Sequence, residues 1–281
     1  MPPDYHEPQA LDAALRLLAE NEGARCIAGG QTLVAMLNAG LVEPSALVSL
    51  ARIPELTAIA RQGDGTLRIG ATATHEAVAG SDVVAREFPL IAETARAIAH
   101  PPIRSFGTIG GAVAHGDPNA DYPAALVGAD AKIEIAGAKG RRTVAAADFF
   151  LDYLTTALEP GEIVTAVIVP ASPQGARGGY LKFARVDGDY ATVSVAALVS
   201  RQKDVCTHIA VALGAVGPRP VRDPSAEKAL IGRPITEAAL AALGDALAAA
   251  CDPVDDVRGS SAYRRGLVPK LVARAVNDLC R

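Results

Sequence analysis

The sequence has no tryptophan and only four cysteines, Cys26, Cys206, Cys251 and Cys280, which lie far apart along the chain. Iron–sulfur clusters and structural zinc sites need closely spaced thiolates, and no CxxC pair or related spacing occurs here. The five histidines show no metal-ligand spacing either. We therefore expect reduced, mostly buried thiols and no metal on this chain, so that any metal centre serving it would belong to another chain.

Long apolar runs and blocks of like charge are also missing. No apolar stretch reaches the roughly 18 residues of a membrane span, and residues 1–9 lack the basic and apolar regions of a signal peptide. The formal net charge is −4, and no run of Lys and Arg is long enough for a nucleic-acid tract. These absences predict a cytoplasmic protein without a membrane span or a nucleic-acid partner. A chain of 281 residues, half of them hydrophobic, can bury about two separate cores.

Several nucleotide-binding and hydrolase signatures are absent. Neither G-x-G-x-x-G nor G-x-x-x-x-G-K-S/T occurs, which argues against a Rossmann dinucleotide domain and against a P-loop nucleotidase. No G-x-S-x-G elbow and no H-E-x-x-H zinc helix is found.

Helix and strand patterns alternate in the first part of the chain, where Asp64-Gly65 between 56–61 and 66–70 predicts a tight hairpin. A Gly- and Pro-rich stretch at 171–179 is the best linker candidate. The chain beyond it begins with strand patterns and ends with helical ones. Three β-rich runs predict an antiparallel meander, at 180–186, 192–201 and 206–216. Three helical patterns would cover that sheet, at 225–230, 237–250 and 260–279.

The first segment that could carry chemistry is Ala28-Gly29-Gly30-Gln31-Thr32-Leu33, a strand that runs into two glycines and then a helix. Glycines allow positive φ and a close approach of the backbone to a ligand. The start of a helix supplies unpaired N–H groups and a partial positive charge, which together suit a phosphate. An ordinary strand–turn–helix corner would have the same pattern, and this alternative stays open at this point.

The second segment is Thr108-Ile109-Gly110-Gly111, followed by the carboxylates Asp117 and Asp121. It again pairs glycines with a hydroxyl group, and a carboxylate can accept hydrogen bonds from ribose or flavin groups. The alternative is a surface turn capped by Asp. Two such glycine segments, about 80 residues apart, could hold one pyrophosphate from both sides.

Together these segments resemble the FAD-binding medium subunits of the molybdenum hydroxylases, the xanthine dehydrogenase and carbon monoxide dehydrogenase family. Residues 28–33 are similar to the family's A-G-G-Q/H-S/T-L loop, and residues 103–121 to its I-R-x-x-G-T-I-G-G…D-P…D block. Residues 180–191 and 256–264 match two blocks of its C-terminal domain. Four motifs in the right order extend the resemblance to nearly the whole chain.

The resemblance implies an α+β fold with two domains. The first, residues 1–174, would be an FAD-binding domain of the p-cresol methylhydroxylase/vanillyl-alcohol oxidase type, with two α/β subdomains at about 1–55 and 56–174. The second, residues 175–281, would be a C-terminal α+β domain made of a three-stranded antiparallel sheet with helices.

The resemblance also implies a role for each candidate site residue. The two glycine segments would hold the pyrophosphate of FAD, with Ala28, Gly29, Gly30, Gln31, Thr32 and Leu33 from the first and Thr108, Gly110 and Gly111 from the second. Asp117 would belong to the same cofactor site, and Asp121 would bind the ribityl or ribose region. Lys182 would lie near the flavin, and Tyr190 would pack against the isoalloxazine. No residue is assigned a catalytic or metal-binding role.

The implied function is electron transfer within a molybdenum-dependent hydroxylase or dehydrogenase. This chain would carry FAD, a small partner would carry the 2Fe–2S clusters, and a large partner would carry the molybdopterin cofactor, as a heterotrimer or a dimer of heterotrimers. The C-terminal helices would contribute a docking surface. One alternative is a stand-alone FAD-dependent oxidoreductase, for which Asp187, Asp189 and Tyr190 are the acid–base candidates, although the two carboxylates suit a turn better. The other is an assembly subunit without flavin, which the intact glycine segments argue against.

Overall fold

In the computed structural model, which describes residues 3–281, three larger β-sheets follow one another along the chain, each accompanied by helices, and a separate two-stranded sheet lies between the last two strands of the second in chain order. This mixture of helices and sheets agrees with the predicted α+β class. Within residues 3–281, no helix combines the length and the apolar character needed to cross a membrane. No group of His, Cys, Asp and Glu side chains in the same range is arranged to hold a metal ion.

The first sheet is parallel, and its strands lie in the order β1-β3-β2. Its elements, in chain order, are β1 (Asp4–His6), α1 (Leu11–Glu20), β2 (Arg25–Ile27), α2 (Leu33–Asn38), β3 (Ala46–Ser49) and a 3-10 turn (Pro54–Leu56). The central strand β3 is wholly buried, as expected for a strand covered on both faces. The core beneath it includes Ala136 and Ile163 from the second sheet, so the two sheets share apolar contacts.

The second sheet is antiparallel, and its strands lie in the order β4-β5-β10-β6-β7. This part of the chain contains β4 (Ile59–Arg61), β5 (Leu67–Gly70), α3 (His75–Ala79), α4 (Asp82–Glu87), α5 (Pro89–Ala97), α6 (Pro101–Arg104), α7 (Ile109–His115), α8 (Asp121–Gly128), β6 (Lys132–Gly137), β7 (Gly140–Ala145), α9 (Ala146–Phe149) and β10 (Ile163–Val169). Between α9 and β10, the strands β8 (Phe150–Asp152) and β9 (Thr155–Thr156) pair as a separate two-stranded sheet. The predicted hairpin around Asp64-Gly65 is confirmed, because β4 and β5 pair antiparallel and Gly65 adopts φ +87°.

The third sheet is an antiparallel meander in the order β11-β12-β13-β14. Its elements are β11 (Arg177–Phe183), β12 (Val193–Gln202), β13 (Val205–Gly214), β14 (Val221–Arg222), α10 (Pro224–Lys228), α11 (Glu237–Ala250) and α12 (Ser261–Cys280). The prediction of a three-stranded sheet is wrong, because Val221 and Arg222 pair with β13 as a fourth strand. Two residues are too few to show the alternation that marks a strand in sequence.

Helix α8 joins the second and third sheets. All eight of its residues are buried, and it contacts α5 on one side and both β12 and β13 on the other. The predicted linker is shorter than expected, because β11 already begins at Arg177. The polar residue at the start of α8, Asp121, is therefore held where the two sheets meet.

Candidate functional site

A cleft of about 470 Å³ lies between the first and second sheets, and both glycine segments line it. We call it the glycine cleft. Its walls include Ala28, Gly29, Gly30, Gln31, Thr32 and Leu33 from the turn between β2 and α2, and Gly107, Thr108, Gly110 and Gly111 from the start of α7. The structure thus brings together two segments that the sequence separates by about 80 residues.

The two glycine segments touch each other through their backbones. A β-carbon on Gly29 would lie 1.9 Å from the carbonyl oxygen of Phe106 and 3.0 Å from the α-carbon of Gly107. Only glycine fits such an approach. The next residue, Gly30, has φ +71°, a conformation that other residues rarely adopt.

The first segment carries a run of free backbone donors. The amides of the five consecutive residues 29–33 donate to no acceptor within residues 3–281. The first helical hydrogen bond of this corner is made only by Val34, whose N–H donates to the Gly30 carbonyl at 2.9 Å. Gly29, Gly30 and Leu33 are half-buried, and Gln31 and Thr32 are exposed. A run of free N–H groups at a glycine turn and helix start is an arrangement that suits an anion.

The second segment is built differently. The amides of Ile109 and Gly110 donate to the carbonyls of Ala73 and Ala71, at 3.0 and 2.8 Å. The Gly111 amide donates to the Thr108 hydroxyl at 3.1 Å, which caps α7. These three amides are already bonded, so this segment forms a wall of the cleft, and the free donors come from the first segment.

His75, the first residue of α3, also lines the glycine cleft and is only 6% exposed. Its backbone N–H donates to the Gly107 carbonyl at 2.9 Å, and its ring lies 5.4 Å from the ring of Tyr122. Burial lowers the pKa of His75 to about 4, and the nearby Arg104 lowers it further, so the imidazole is neutral at pH 7. His75 was not among the predicted site residues, since a single histidine at a helix start has no distinctive spacing.

Asp121 and Lys182 do not line the glycine cleft, and they bind each other. The Lys182 ammonium donates to the Asp121 carboxylate at 3.1 Å and to the Ala97 carbonyl at 3.0 Å. The Tyr180 hydroxyl donates to the other oxygen of Asp121 at 2.7 Å. Burial raises the pKa of Asp121, while Lys182 and the Tyr180 hydrogen bond oppose the rise. The pair ties α8 to β11 and to the end of α5, and Tyr180 was not among the predicted site residues.

Tyr190 lies in the loop after β11, within electrostatic reach of Asp117 and Asp121. Neither Tyr190 nor Asp117 lines the glycine cleft. Partial burial raises the pKa of Tyr190, and the charges of Asp117 and Asp121 add to the rise. The Arg258 guanidinium lies over the Tyr190 ring at 5.3 Å from its centroid and also binds Asp189 at 3.0 Å. Asp117 is fixed by its own turn, since its carboxylate accepts from the Asn119 amide at 2.8 Å. Arg258 was missed as a site residue, although it lies in the 256–264 block.

Comparisons with known proteins cover nearly the whole chain. Residues 2–172 match the family described as "FAD binding domain in molybdopterin dehydrogenase", and residues 179–279 match "CO dehydrogenase flavoprotein C-terminal domain". The chain is 37% identical over 275 residues to the carbon monoxide dehydrogenase medium chain of Hydrogenophaga pseudoflava, across 98% of this chain and 96% of that protein. It is 35% identical over 272 residues to the nicotine 6-hydroxylase medium subunit of Paenarthrobacter nicotinovorans, across 97% and 95%.

Solved structures agree with these matches. The fold superposes with a TM-score of 0.96 on carbon monoxide dehydrogenase from Hydrogenophaga pseudoflava lacking the Mo-pyranopterin moiety, at 37% identity and covering 100% of this chain and 98% of that one. It superposes with a TM-score of 0.94 on quinoline 2-oxidoreductase from Pseudomonas putida 86, at 33% identity and covering 99% and 97%.

Proposed function

This chain belongs to the FAD-binding medium subunits of the molybdenum hydroxylase family, and from that membership we propose that it carries electrons within a molybdenum-dependent hydroxylase or dehydrogenase. The family makes it an oxidoreductase subunit whose own cofactor is FAD. In the proposal, electrons arrive from Fe–S clusters of a partner chain and leave to an external acceptor. Bound FAD supplies exchange of one or two electrons at a time, which suits this position.

The observation that carries the proposal is the row of five free amides at residues 29–33 in the glycine cleft. A diphosphate offers several anionic oxygens, and hydrogen bonds to charged groups contribute about 1.5–3 kcal/mol each. Several such bonds can hold FAD without a covalent link. The close contact of Gly29 with Phe106 brings the second glycine segment against the first, which glycine alone permits.

We also propose roles for the remaining site residues. The Asp121–Lys182 pair would border the ribityl and ring end of the cofactor, with Asp117 nearby. Tyr190, over which Arg258 lies, would pack against the isoalloxazine ring. In this arrangement the side chains of this chain bind and orient the cofactor, and Lys182 and Tyr190 tune its electronic environment.

We propose a small Fe–S subunit and a large molybdopterin subunit as partners, in a heterotrimer or a dimer of heterotrimers. The four cysteines support this division of labour, since all four are free thiols and two clusters would need about eight thiolates. Docking through the C-terminal helices and a cytoplasmic location both stay predictions.

We further propose domains at 1–174, with subdomains at about 1–55 and 56–174, and at 175–281. The family matches, which end at 172 and resume at 179, support the main boundary.

The test is to express the chain alone, supply FAD, and record the spectrum of bound flavin. The FAD-loaded chain is then assayed with purines, aldehydes and N-heterocycles and an artificial electron acceptor. We expect bound flavin and no substrate turnover until both partner chains are added. A chain that binds no FAD after reconstitution would refute the proposal, and turnover by the single metal-free chain would establish a stand-alone oxidoreductase instead.

A further inference from the structure

His75 is a buried polar side chain in the wall of the glycine cleft whose hydrogen-bonding groups are unused. Nδ1 is sealed from solvent and has no hydrogen-bond partner within residues 3–281. Nε2 lies at the edge of the ring beside Gly107, where a β-carbon on Gly107 would be only 2.7 Å from it. Because Gly107 itself lines the cleft, Nε2 is the ring nitrogen that a ligand in the cleft can reach.

A buried polar ring without partners carries an energetic cost. A buried donor or acceptor that loses its partner destabilises the protein by its full desolvation penalty, so such groups are generally found bonded. Within residues 3–281 no group bonds the His75 ring. Nδ1 is sealed from solvent and stays without a partner, whereas Nε2 is not sealed in this way and can be bonded by a ligand in the cleft. The neutral state of the imidazole leaves one ring nitrogen as an N–H donor.

The surroundings of His75 indicate which part of a ligand it meets. Its backbone N–H holds the Gly107 carbonyl, and Gly107 in turn lies against Gly29. His75 therefore stands next to the free amides of residues 29–33, where an anionic group is expected. An N–H of the His75 imidazole that points at this anionic group would add one more hydrogen-bond donor to the free amides of residues 29–33. The His75 donor comes from α3, whereas those amides follow β2.

We propose that His75 contacts the cofactor directly, donating a hydrogen bond from Nε2 to the diphosphate of FAD. This inference rests on the proposed function, because it assigns one more residue to the same cofactor site.

The experiment measures the FAD affinity of the full chain, stripped of flavin, for the wild type and three variants. His75→Leu removes the donor at similar size, and His75→Gln keeps a neutral N–H donor. His208→Leu is the matched control, since His208 also has a buried, unpartnered ring nitrogen but lines a separate cavity. We expect His75→Leu to weaken FAD binding about tenfold or more, as for a lost hydrogen bond to a charged group. His75→Gln and His208→Leu should stay near the wild type.

ADP and riboflavin locate the contact, because ADP carries the diphosphate and riboflavin lacks it. The affinity for ADP should fall with His75→Leu by a factor similar to that for FAD, and binding of riboflavin should not change. Thermal melting of each flavin-free variant verifies that it is folded.

The inference is overturned if folded His75→Leu binds FAD and ADP as tightly as the wild type. It is also overturned if His75→Gln or His208→Leu is impaired as much as His75→Leu, since packing would then explain the loss. A wild-type chain that binds no FAD would instead refute the proposed function, so the two failures are distinguishable.

Discussion

Gly29 packs directly on the carbonyl group of Phe106, so closely that a β-carbon on Gly29 would lie 1.9 Å from the Phe106 oxygen. Gly29 belongs to the segment that follows β2 of the first sheet. Phe106 belongs to the segment that precedes α7, in the part of the chain that forms the second sheet. Gly29 and Gly107, which follows Phe106, both line the glycine cleft. The relative position of the two walls therefore depends on the absence of a single methyl group.

Replacing Gly29 by Ala should abolish or strongly reduce FAD binding. The new methyl group meets backbone atoms, which cannot rotate away as a side chain can, so the two segments must separate. The flavin content after reconstitution, from the absorption spectrum, measures the effect. Gly63→Ala is the control, since a β-carbon at Gly63 meets nothing within 4 Å and its φ is not positive. Full flavin content in Gly29→Ala would mean that the contact does not set the shape of the cleft.

The parts of the fold that could be predicted are those whose sequence pattern lies within a few neighbouring residues. The hairpin at Asp64-Gly65 and the long strands β12 and β13 follow from turn chemistry and runs of apolar residues, and the structure confirms them. The fourth strand, Val221–Arg222, exists only because β13 lies beside it. A strand of two residues is determined by its tertiary neighbour, so no pattern in the sequence could reveal it.

The candidate site, like the fold, could be predicted from the sequence only in part. Glycines with neighbouring hydroxyl groups identified both cleft segments, but residue types cannot show which amides are free. The amide of Gly110 is occupied by the Ala71 carbonyl, a partner almost 40 residues earlier in the chain. His75, Tyr180 and Arg258 were missed for a related reason, since each gains its place through a contact with a distant residue.

Replacing Lys182 by Met should destabilise the protein by about 3–5 kcal/mol, because Asp121 is then left as a buried carboxylate without its cation. Urea unfolding of the flavin-free chain measures this loss. The double variant Asp121→Asn/Lys182→Met should recover much of it, since neither charge remains. Lys139→Met is the control, since Lys139 is 95% exposed and lies 4.0 Å from Glu159. Equal stability of Lys182→Met and the wild type would show that the pair contributes no net stabilisation.

The stability of the flavin-free chain should have a pH-dependent component from His75. Its pKa is about 4 in the folded protein against an ordinary 6.5, so between these values the unfolded chain binds a proton that the folded chain does not. The contribution is therefore fully present above about pH 6.5 and is lost as the pH falls toward 4, by about 3 kcal/mol at most. Unfolding free energies of the wild type and His75→Gln, measured from pH 7 to 4, should diverge, with the wild type losing more. Parallel curves would show that the imidazole is not buried as described.

Replacing Tyr190 by Ala should shift the absorption spectrum or the reduction potential of the bound flavin. Tyr190 is 41% exposed and within electrostatic reach of Asp117 and Asp121, and the Arg258 guanidinium lies over its ring. An aromatic ring held against the isoalloxazine changes its polarity and access to water, and its loss also releases Arg258 to move. Tyr190→Phe keeps the ring and should stay near the wild type. Tyr263→Ala, which removes a similarly exposed tyrosine from α12, should change neither quantity. A spectrum and potential in Tyr190→Ala identical to those of the wild type would place Tyr190 away from the flavin, as an aromatic side chain at the end of a hairpin held by Arg258.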